Sequence, residues 1–594
     1  MQLSGYDYLR DKLMSQRGLA HLAPKIEALR NEGIASLLFD NGDFLQGNAL
    51  ADTVMADVES GQAHPMIAAM NRLKYDAITL GNHEFDYGLA DLKAAIKDCD
   101  MPVVSANVRV SPTEYLIEPW TLLDRQVPCS DGETRSLKIG VIGFVTPQIC
   151  DWNHHLLSGA IVTDDIINAA KTHLGAMRRA GADIVVALCH AGIGAMTHTP
   201  GMENAAAPLA GLLGVDVVLA GHTHDFFPGE MFPPSPVIDP KEAMVYGKPL
   251  VMAGYDGLAL GIVDLDLTFD DNSWRITAQK ASLTHARDIP AQVDHPDSAA
   301  ILASIQAPHL RTRAKLNRAL AHSDQPLSSH FTMVGQDPSI QLVAWSQMNH
   351  ARKMLNDEDL TNLPIIGSAS SFRSGGHGGA ENFINVPTGP IVLRDVGAMA
   401  PFNNPICAVL RRGWQVRRWL EFSASYFLRI NAGMGAQPLV SPRFPSYHFD
   451  WLVGLNYAFD LTVPARFDET GTLQDHQASR VRNLMFRGKP VQDDDLFIVV
   501  TSVYRAHGGG LQGPIEQQDV LWTSALGATD ILADAITNAS TVRVPDETNW
   551  GFTAIEGARG VFRTSPAAQH GPVPPGVERL ADTADGFDAY AITF

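Results

Sequence analysis

Side chains able to bind a metal ion follow four short apolar runs in the first half of the chain. The runs and the residues that follow or end them are "LLF" with Asp43, "ITL" with Asn82, "VVALC" with His190, and "VVLA" with His222 and His224. Their length and composition are typical of buried strands. Because ligands of α/β sheets bind outside the carboxyl ends of the strands, residues just past four such ends can converge. The pattern predicts one site of mixed oxygen and imidazole donors.

These donor types indicate the chemistry of the site. Hard oxygen donors mixed with imidazole suit zinc, manganese, iron or magnesium better than calcium or copper. A carboxylate such as Asp43 can bridge two ions, and two ions about 3.5 to 4 Å apart polarise a phosphoryl oxygen and activate water. Taken singly, Asn82 and Asp86 would also fit a helix cap, and His190 a structural histidine. Four strand ends together favour two divalent metal ions and phosphoester hydrolysis.

Composition narrows the range of partners. The 594 residues carry 45 Lys and Arg against 65 Asp and Glu, a net charge of −20, which argues against binding a nucleic-acid polymer by bulk charge. No apolar run has the length of a bilayer span, so no membrane association is predicted. The five cysteines form no C-x-x-C pair. A small anionic substrate, reached through metal or local cations, fits this balance.

Helix-like and strand-like segments alternate through the first half of the chain, as expected of a layered α/β domain over residues 1–285. A stretch rich in Ala, Leu, Lys and Arg from Ser298 to about Leu320 predicts a linker helix within residues 286–322. The remainder, 323–594, mixes helices such as Trp414 to Phe427 with strands such as Leu496 to Tyr504, and is predicted to be a separate α/β or α+β domain.

Several motifs carry a family resemblance that covers nearly the whole chain. "DNGDFLQG", "GNHEFDYG", "CHAG" and "AGHTHDFFPG" resemble successive blocks of the calcineurin-like metallophosphoesterases in their 5′-nucleotidase branch. "PFNNP", "GLNYAFDLTVPARFD" and "SVYRAHGG" are similar to the C-terminal domain of bifunctional 2′,3′-cyclic-nucleotide 2′-phosphodiesterase/3′-nucleotidases. The resemblance implies a four-layer α/β/β/α domain followed by an α/β substrate domain. It also implies hydrolysis of 2′,3′-cyclic nucleotides to 3′-nucleotides, and of these to nucleoside and phosphate.

The resemblance also assigns roles in the first domain. Asp43 matches the ligand that bridges two metals, Asn82, His190 and His222 match the other ligands of one metal, and His224 matches a ligand of the second. His83 corresponds to the catalytic histidine, which stabilises charge on the phosphoryl group or the leaving oxygen, and Asp86 to the carboxylate that orients it. Glu84 is expected to pack or to support the ligands.

In the C-terminal domain the resemblance implies that Phe402 and Tyr504 sandwich the nucleobase, although either ring alone would also fit a core position. Asn404 is expected to contact the base or ribose, and Arg373 is a further candidate. Gly510 stands where the 5′-nucleotidases place an Asp, which, together with "VPARFD", favours the cyclic-phosphodiesterase branch. A 5′-nucleotidase remains the alternative.

One block of the family is not found in the chain. Family members begin with a strand ending in Asp-x-His, which supplies two ligands to the first metal, whereas this chain starts "MQLSGYDYLRDK". We expect Met1 to be a truncated or wrongly assigned start. If the chain does begin there, a single metal ion and greatly reduced activity are expected, and a non-catalytic nucleotide-binding protein is the alternative. The resemblance implies a periplasmic location, but the chain as given shows no export signal, which leaves the cytoplasm open.

Overall fold

The computed structural model describes residues 2–33, 35–229, 231–292, 294–355, 360, 362–509, 515–544 and 548–594. The chain divides into two compact units, residues 1–314 and 315–594. Each unit is built from β-sheets and helices, so the predicted two-domain α/β class is confirmed. The domain and linker bounds given by the sequence stay predictions.

Two sheets position the candidate site in the first unit. The larger contains, in spatial order, Ile238–Asp239, Met244–Val245, Lys248–Ala253, Val217–Ala220, Ile184–His190, Thr134–Val145 and Trp120–Pro128, with Phe226–Phe227 paired to Lys248–Ala253. The smaller contains Phe39–Asp40, Ala77–Thr79 and Val103–Val104. The strands that precede the candidate ligands are parallel to a neighbour in their own sheet: Phe39–Asp40 to Ala77–Thr79, and Ile184–His190 to Val217–Ala220.

The central strand Ile184–His190 is buried along its whole length, because both faces of the large sheet are covered. On one face, a core contains Ala77 and Val104 of the small sheet together with Val141 and Leu188 of the large one. On the other face, a second core joins the sheet to the helices Ile166–Arg179 and Ala206–Ala210. The strand ends are therefore held by packing on two sides.

Further strands of the first unit are Tyr6–Asp7, Lys12–Leu13, Val108–Ser111, Glu114–Tyr115, Val162–Thr163, Ala259–Asp270 and Ser273–His285. Its helices are Leu19–Arg30, Ala49–Glu59, Pro65–Arg72, Leu89–Ile96, Ile149–Trp152, His154–Leu157, Ile166–Arg179, Ala206–Ala210 and Pro296–Ser304. Another helix, Gln306–Leu316, reaches the boundary between the units.

The structure has two helices where the sequence pattern predicted one from Ser298 to about Leu320. The first ends at Ser304 and the second begins at Gln306. Pro308 lies in the first turn of the second helix, and because proline has no backbone N–H it cannot donate the hydrogen bond to the Ser304 carbonyl that a continuous helix would contain. The second helix ends at Leu316, and strand Ala319–Ser323 follows.

The second unit is organised around a five-stranded sheet. Its strands, in spatial order, are Trp451–Val453, Ile365–Ala369, Leu496–Ser502, Pro405–Arg412 and Val520–Gly527. The other strands are Ala319–Ser323, Leu327–Ser328, Asn385–Val386, Gly389–Val392, Gly435–Pro438, Asn456–Phe459, Val481–Phe486, Lys489–Pro490, Thr541–Val542, Trp550–Phe552, Ala558–Thr564, Val577–Asp582 and Asp588–Thr593. Helices are Pro338–Met354, Leu393–Met399, Gly413–Ser423, Val503–Ala506 and Ala528–Thr537. Among the residues described above, no helix is both long enough and apolar enough to cross a membrane.

Candidate metal centre and aromatic site

The side chains at the four strand ends of the first unit meet at one point. Asp43 Oδ2 lies 3.1 Å from His190 Nε2. Asn82 Oδ1 lies 3.1 Å from His190 Nε2 and 3.0 Å from His222 Nδ1. Asn82 does not act as a helix cap, because its side chain makes no capping hydrogen bond to the short helix His83–Phe85.

Outer hydrogen bonds fix which nitrogen of each histidine faces inward. His190 Nδ1 lies 2.7 Å from the Asn41 carbonyl, which can only accept, so Nδ1 donates and, in the neutral ring, Nε2 presents its lone pair. His222 Nε2 lies 2.8 Å from Glu203 Oε1, which leaves the lone pair of His222 Nδ1 facing Asn82. Such outer partners orient metal-binding histidines in proteins.

This arrangement fits a divalent cation. Ligand atoms about 2.1 Å from one metal ion lie about 3.0 to 3.4 Å apart, which the three inward distances match. The inward-facing oxygens and imidazole lone pairs are all acceptors, so a shared cation would satisfy them. Within the described parts of the chain, no group of three or more His, Cys, Asp and Glu side chains is arranged to hold a metal ion. A metal site at this cluster would therefore need the amide oxygen of Asn82 as a further ligand.

The backbone around the site is strained at three of the predicted ligands. Asp43, His222 and His224 have φ values of 61°, 72° and 63°, in the left-handed region that costs a non-glycine residue about 1 to 2 kcal/mol. Strain of this kind persists where function requires it. Gly81 has no room for a side chain, because a Cβ there would lie 2.3 Å from Asp43 Oδ1 and 2.7 Å from His190 Cε1.

Glu84, fully buried, ties the Asp43 loop to the Asn82 loop. Its Oε2 accepts from the backbone N–H groups of Asp43 (2.7 Å) and Gly81 (2.6 Å). Its Oε1 accepts from those of Phe44 (2.7 Å) and Leu45 (2.9 Å). Burial raises the pKa of Glu84, and the Asp43 carboxylate adds to the rise, whereas the N–H donors oppose it. The sequence assigned Glu84 only to packing or support, and the structure shows how it supports the ligand loops.

The predicted catalytic pair is adjacent to this cluster. His83 Nδ1 lies 2.6 Å from Asp86 Oδ2, and the backbone N–H of His83 donates to Asp43 Oδ1 at 2.9 Å. Burial alone would lower the pKa of His83, but Asp43 and Asp86 outweigh it and raise the pKa to about 9. The ring is therefore protonated at pH 7. Asn153 Nδ2 donates to Asp86 Oδ1 at 3.1 Å and holds the carboxylate from its other side.

His224, the predicted ligand of a second metal, stands slightly apart. Its ring stacks on Tyr255 with centroids 5.0 Å apart, and desolvation by the surrounding protein lowers its pKa below 6.5, so the ring is neutral at pH 7. A neutral imidazole can offer a lone pair to a metal. Trp152 stacks on His222 with centroids 5.7 Å apart.

In the second unit, strand register places the predicted base-binding residues at one edge of the five-stranded sheet. Strands Pro405–Arg412 and Leu496–Ser502 are antiparallel, with Ile406 opposite Ser502. Phe402 and Asn404 precede the first strand, and Tyr504 follows the second, in the short helix Val503–Ala506. Strand Ile365–Ala369 is parallel to Leu496–Ser502, so Arg373 follows it at the same edge.

Phe402 is 45% exposed, which excludes the core alternative for this ring. Its nearest aromatic contact is Phe372, with centroids 5.1 Å apart and planes at 71°. Tyr504 is half-buried and rests against Gly509, where a Cβ would lie 2.4 Å from the ring. Arg373 is buried, and Asn404 accepts from the Ala528 N–H through its backbone oxygen.

The sequence interpretation missed residues beside both clusters. Beside the candidate metal centre they are Asn41, Trp152, Asn153 and Glu203, and beside the aromatic residues of the second unit they are Phe372 and Arg505. Glu203 and Asn153 lie in irregular segments with no spacing signal, and only the fold brings them to His222 and Asp86. Phe372 precedes the predicted Arg373, so motif matching selected its neighbour. Gly510, which distinguished the two branches by sequence, lies outside the described residues.

Two family models match the chain, one on each unit. The model of the calcineurin-like phosphoesterase family matches residues 15–226, and that of the 5′-nucleotidase C-terminal domain matches residues 320–515. The two matches, one on each unit, define a two-domain phosphoesterase of the calcineurin-like class.

The 2′,3′-cyclic-nucleotide 2′-phosphodiesterase/3′-nucleotidase of Salmonella typhimurium is 34% identical over 581 residues, 94% of this chain and 89% of that protein. That of Haemophilus influenzae is 34% identical over 584 residues, 96% of this chain and 88% of that protein. This chain belongs to the family of 2′,3′-cyclic-nucleotide 2′-phosphodiesterase/3′-nucleotidases, as the sequence motifs predicted.

Other similar proteins are larger or more distant. The trifunctional nucleotide phosphoesterase protein YfkN of Bacillus subtilis is 34% identical over 99% of this chain, which spans 41% of that protein's length. The crystal structure of calcineurin-like phosphoesterase YfkN covers 53% of this chain, with a TM-score of 0.50 and 35% identity. A 5′-nucleotidase precursor from Thermus thermophilus covers 90% of this chain and 94% of that chain, with a TM-score of 0.58. At 20% identity, this last likeness concerns the fold alone.

Proposed function

We propose that the chain hydrolyses 2′,3′-cyclic nucleotides to 3′-nucleotides, and 3′-nucleotides to nucleoside and phosphate. In the first reaction water attacks phosphorus, the P–O2′ bond breaks and O2′ takes a proton. In the second reaction another water attacks, P–O3′ breaks and O3′ takes a proton. The observation that carries the proposal is the convergence of Asp43, Asn82, His190 and His222 beside the His83–Asp86 pair.

The same four residues are proposed to hold one divalent metal ion, with Asp43 also facing a second ion bound by His224. When bound, such ions polarise a phosphoryl oxygen and lower the pKa of water. The family implies divalent metal ions; their number and their identity among zinc, manganese, iron and magnesium are part of the proposal. A periplasmic location stays a prediction from the resemblance.

His83 is proposed to act on the phosphoryl group. Its Nδ1 faces Asp86, so its Nε2 carries the remaining proton. That proton can be donated in a hydrogen bond to a phosphoryl oxygen or transferred to the leaving ribose oxygen. Asp86 holds the ring orientation and stabilises its positive charge, and Asn153 holds Asp86. In the second unit, Phe402 and Tyr504 are proposed to bind the nucleobase.

The proposal is tested by incubating the full-length protein with 2′,3′-cyclic AMP, 3′-AMP or 5′-AMP and manganese, separating products by chromatography and measuring phosphate. We expect 3′-AMP to form from the cyclic substrate and phosphate to form from 3′-AMP. His83→Ala is expected to lose both activities while binding manganese as the wild type does. Preference for 5′-AMP would instead support the 5′-nucleotidase alternative, and nucleotide binding with no hydrolysis of any substrate would support the non-catalytic one.

A further inference from the structure

An exposed aromatic patch lies at the sheet edge that carries Phe402 and Tyr504. Three of its rings are unusually open for large hydrophobic side chains: Phe372 is 36% exposed, Phe402 45% and Tyr447 43%. Clustered exposed aromatic residues mark ligand-binding surfaces more often than isolated ones do. Phe372 contacts Phe402 edge to face at 5.1 Å, and the planes of Phe372 and Tyr447 are within 9° of parallel, with centroids 6.5 Å apart.

Strand register explains why these rings share one edge. Ala369, the last residue of its strand, pairs with Trp451, the first residue of the neighbouring antiparallel strand. Phe372 therefore follows one strand and Tyr447 precedes the other at the same end of the sheet. The same edge carries Phe402 and Tyr504 on the next strands along.

The patch rests on a fixed scaffold. Arg505 is buried and paired with the buried carboxylate of Asp450 at 3.0 Å. Its guanidinium also donates to the backbone carbonyls of Tyr447 and Gly509, the latter at 3.0 Å, and to Ser370 Oγ at 3.2 Å. One buried cation thus ties together the segments that present Phe372, Tyr447 and Tyr504. A rigid support of this kind lowers the entropic cost of binding a flat ligand.

Buried polar atoms lie next to the rings of Phe372 and Tyr447. Ser371 Oγ and His448 Nδ1 have no hydrogen-bond partner among the described residues. Ser371 precedes Phe372, and the His448 ring packs edge-on against Tyr447 at 4.5 Å. Burial lowers the pKa of His448 to about 3, so this ring is neutral at pH 7. The exposed apolar faces of Phe372 and Tyr447 suit the π-face of a nucleobase.

We infer that Phe372 and Tyr447 contact the nucleobase of the substrate and set the preference among bases, in addition to the predicted pair Phe402 and Tyr504. This inference rests on the proposed function and adds a specificity determinant to it. A larger aromatic surface favours purines over pyrimidines, because a purine offers more area to stack.

Equilibrium binding of adenosine and of uridine to the full-length protein tests the inference, since nucleosides lack the phosphate and report on base recognition alone. For Phe372→Ala and Tyr447→Ala we expect the Kd for adenosine to rise at least about fivefold, with a smaller rise for uridine. Phe372→Leu keeps an apolar side chain without a π-face, and an effect of this variant separates stacking from loss of packing. Thermal melts establish that each variant is folded.

Trp414→Ala is the matched control. Trp414 is an exposed aromatic residue (46%) just beyond the opposite end of strand Pro405–Arg412, and its replacement is expected to leave both Kd values within twofold of the wild type. If folded Phe372→Ala and Tyr447→Ala proteins behave like this control while the wild type binds adenosine, the inference is wrong and the proposed function stands. If the wild type neither binds adenosine nor hydrolyses nucleotides, the proposed function itself fails.

Discussion

A Glu84→Gln substitution is expected to lower the free energy of unfolding of the first unit by about 2 to 6 kcal/mol. Each carboxylate oxygen of Glu84 accepts two backbone N–H groups, so four donors converge on one buried side chain. Glutamine offers one oxygen and one NH₂ group, and the NH₂ group would face two N–H donors. A buried N–H left without an acceptor costs about 1 to 3 kcal/mol, and two such groups give the stated range.

Hydrogen exchange followed by mass spectrometry measures this effect locally. Backbone amides of residues 43–45 and of Gly81 are the donors, and a loss of 2 kcal/mol or more corresponds to exchange about 30-fold faster or more in the affected pair. Because the amide of Asp43 belongs to the affected set, manganese binding is also expected to weaken. Chemical unfolding of the whole protein gives the accompanying change in stability.

Glu421→Gln in the second unit provides a matched control. Glu421 is also buried, and its carboxylate accepts from Arg480 N at 2.8 Å, Val481 N at 3.0 Å and Ser479 Oγ at 2.7 Å. Its substitution is expected to speed exchange at residues 480 and 481 and to leave residues 43–45 and manganese affinity unchanged. Exchange at residues 43–45 and 81 within threefold of the wild type in Glu84→Gln would refute the account of Glu84 given above.

Three further substitutions probe other contacts. Asp86→Asn is expected to lower phosphate release from 3′-AMP about 100-fold with manganese content unchanged, since it replaces the carboxylate that pairs with His83 Nδ1 by a neutral amide. An equal loss of metal would contradict this. Gly81→Ala is expected to weaken manganese binding at least tenfold in a calorimetric titration, because its Cβ would overlap Asp43 Oδ1; unchanged affinity would argue against the cluster. Burial lowers the pKa of His64 from 6.5 to about 4, so its contribution to stability should fall as pH drops from about 6.5 towards 4. His64→Asn keeps the helix cap and should reduce the pH slope of stability in urea titrations, leaving the part due to other buried histidines such as His448.

The convergence of the strand-end side chains was predictable from sequence because the rule behind it is local. Asp43, Asn82, His190 and His222 each follow or end a short apolar run, and parallel strands bring their carboxyl ends to a common edge. The structure places these four side chains in contact. Their roles as metal ligands stay predictions. The fold class and family followed from the same motifs and are confirmed.

The residues that support the ligands were not predictable in the same way. Glu203 reaches His222 from an irregular segment, and Asn153 reaches Asp86 across 67 positions of sequence, so neither has a periodic or motif signal. The motif pointed to Arg373 and not to its neighbour Phe372, because the contact between the Phe372 and Phe402 rings is visible only in the structure. The linker was predicted as one helix because its composition is uniform. Within that stretch, Pro308 is the sequence feature that indicates the start of a second helix.

The order in which the chain is synthesised also determines when the proposed metal centre can form. Asn82 is separated by 108 positions from His190 and by 140 from His222, and Asn41, which orients His190, is separated from it by 149. Domains fold as units during synthesis, the N-terminal one first. The cluster therefore cannot exist until the chain past His222 has left the ribosome, and the strained loops at Asp43 and His222 must close before any ion can be shared. Any ion that these residues share can therefore be acquired only after residue 222 has been synthesised.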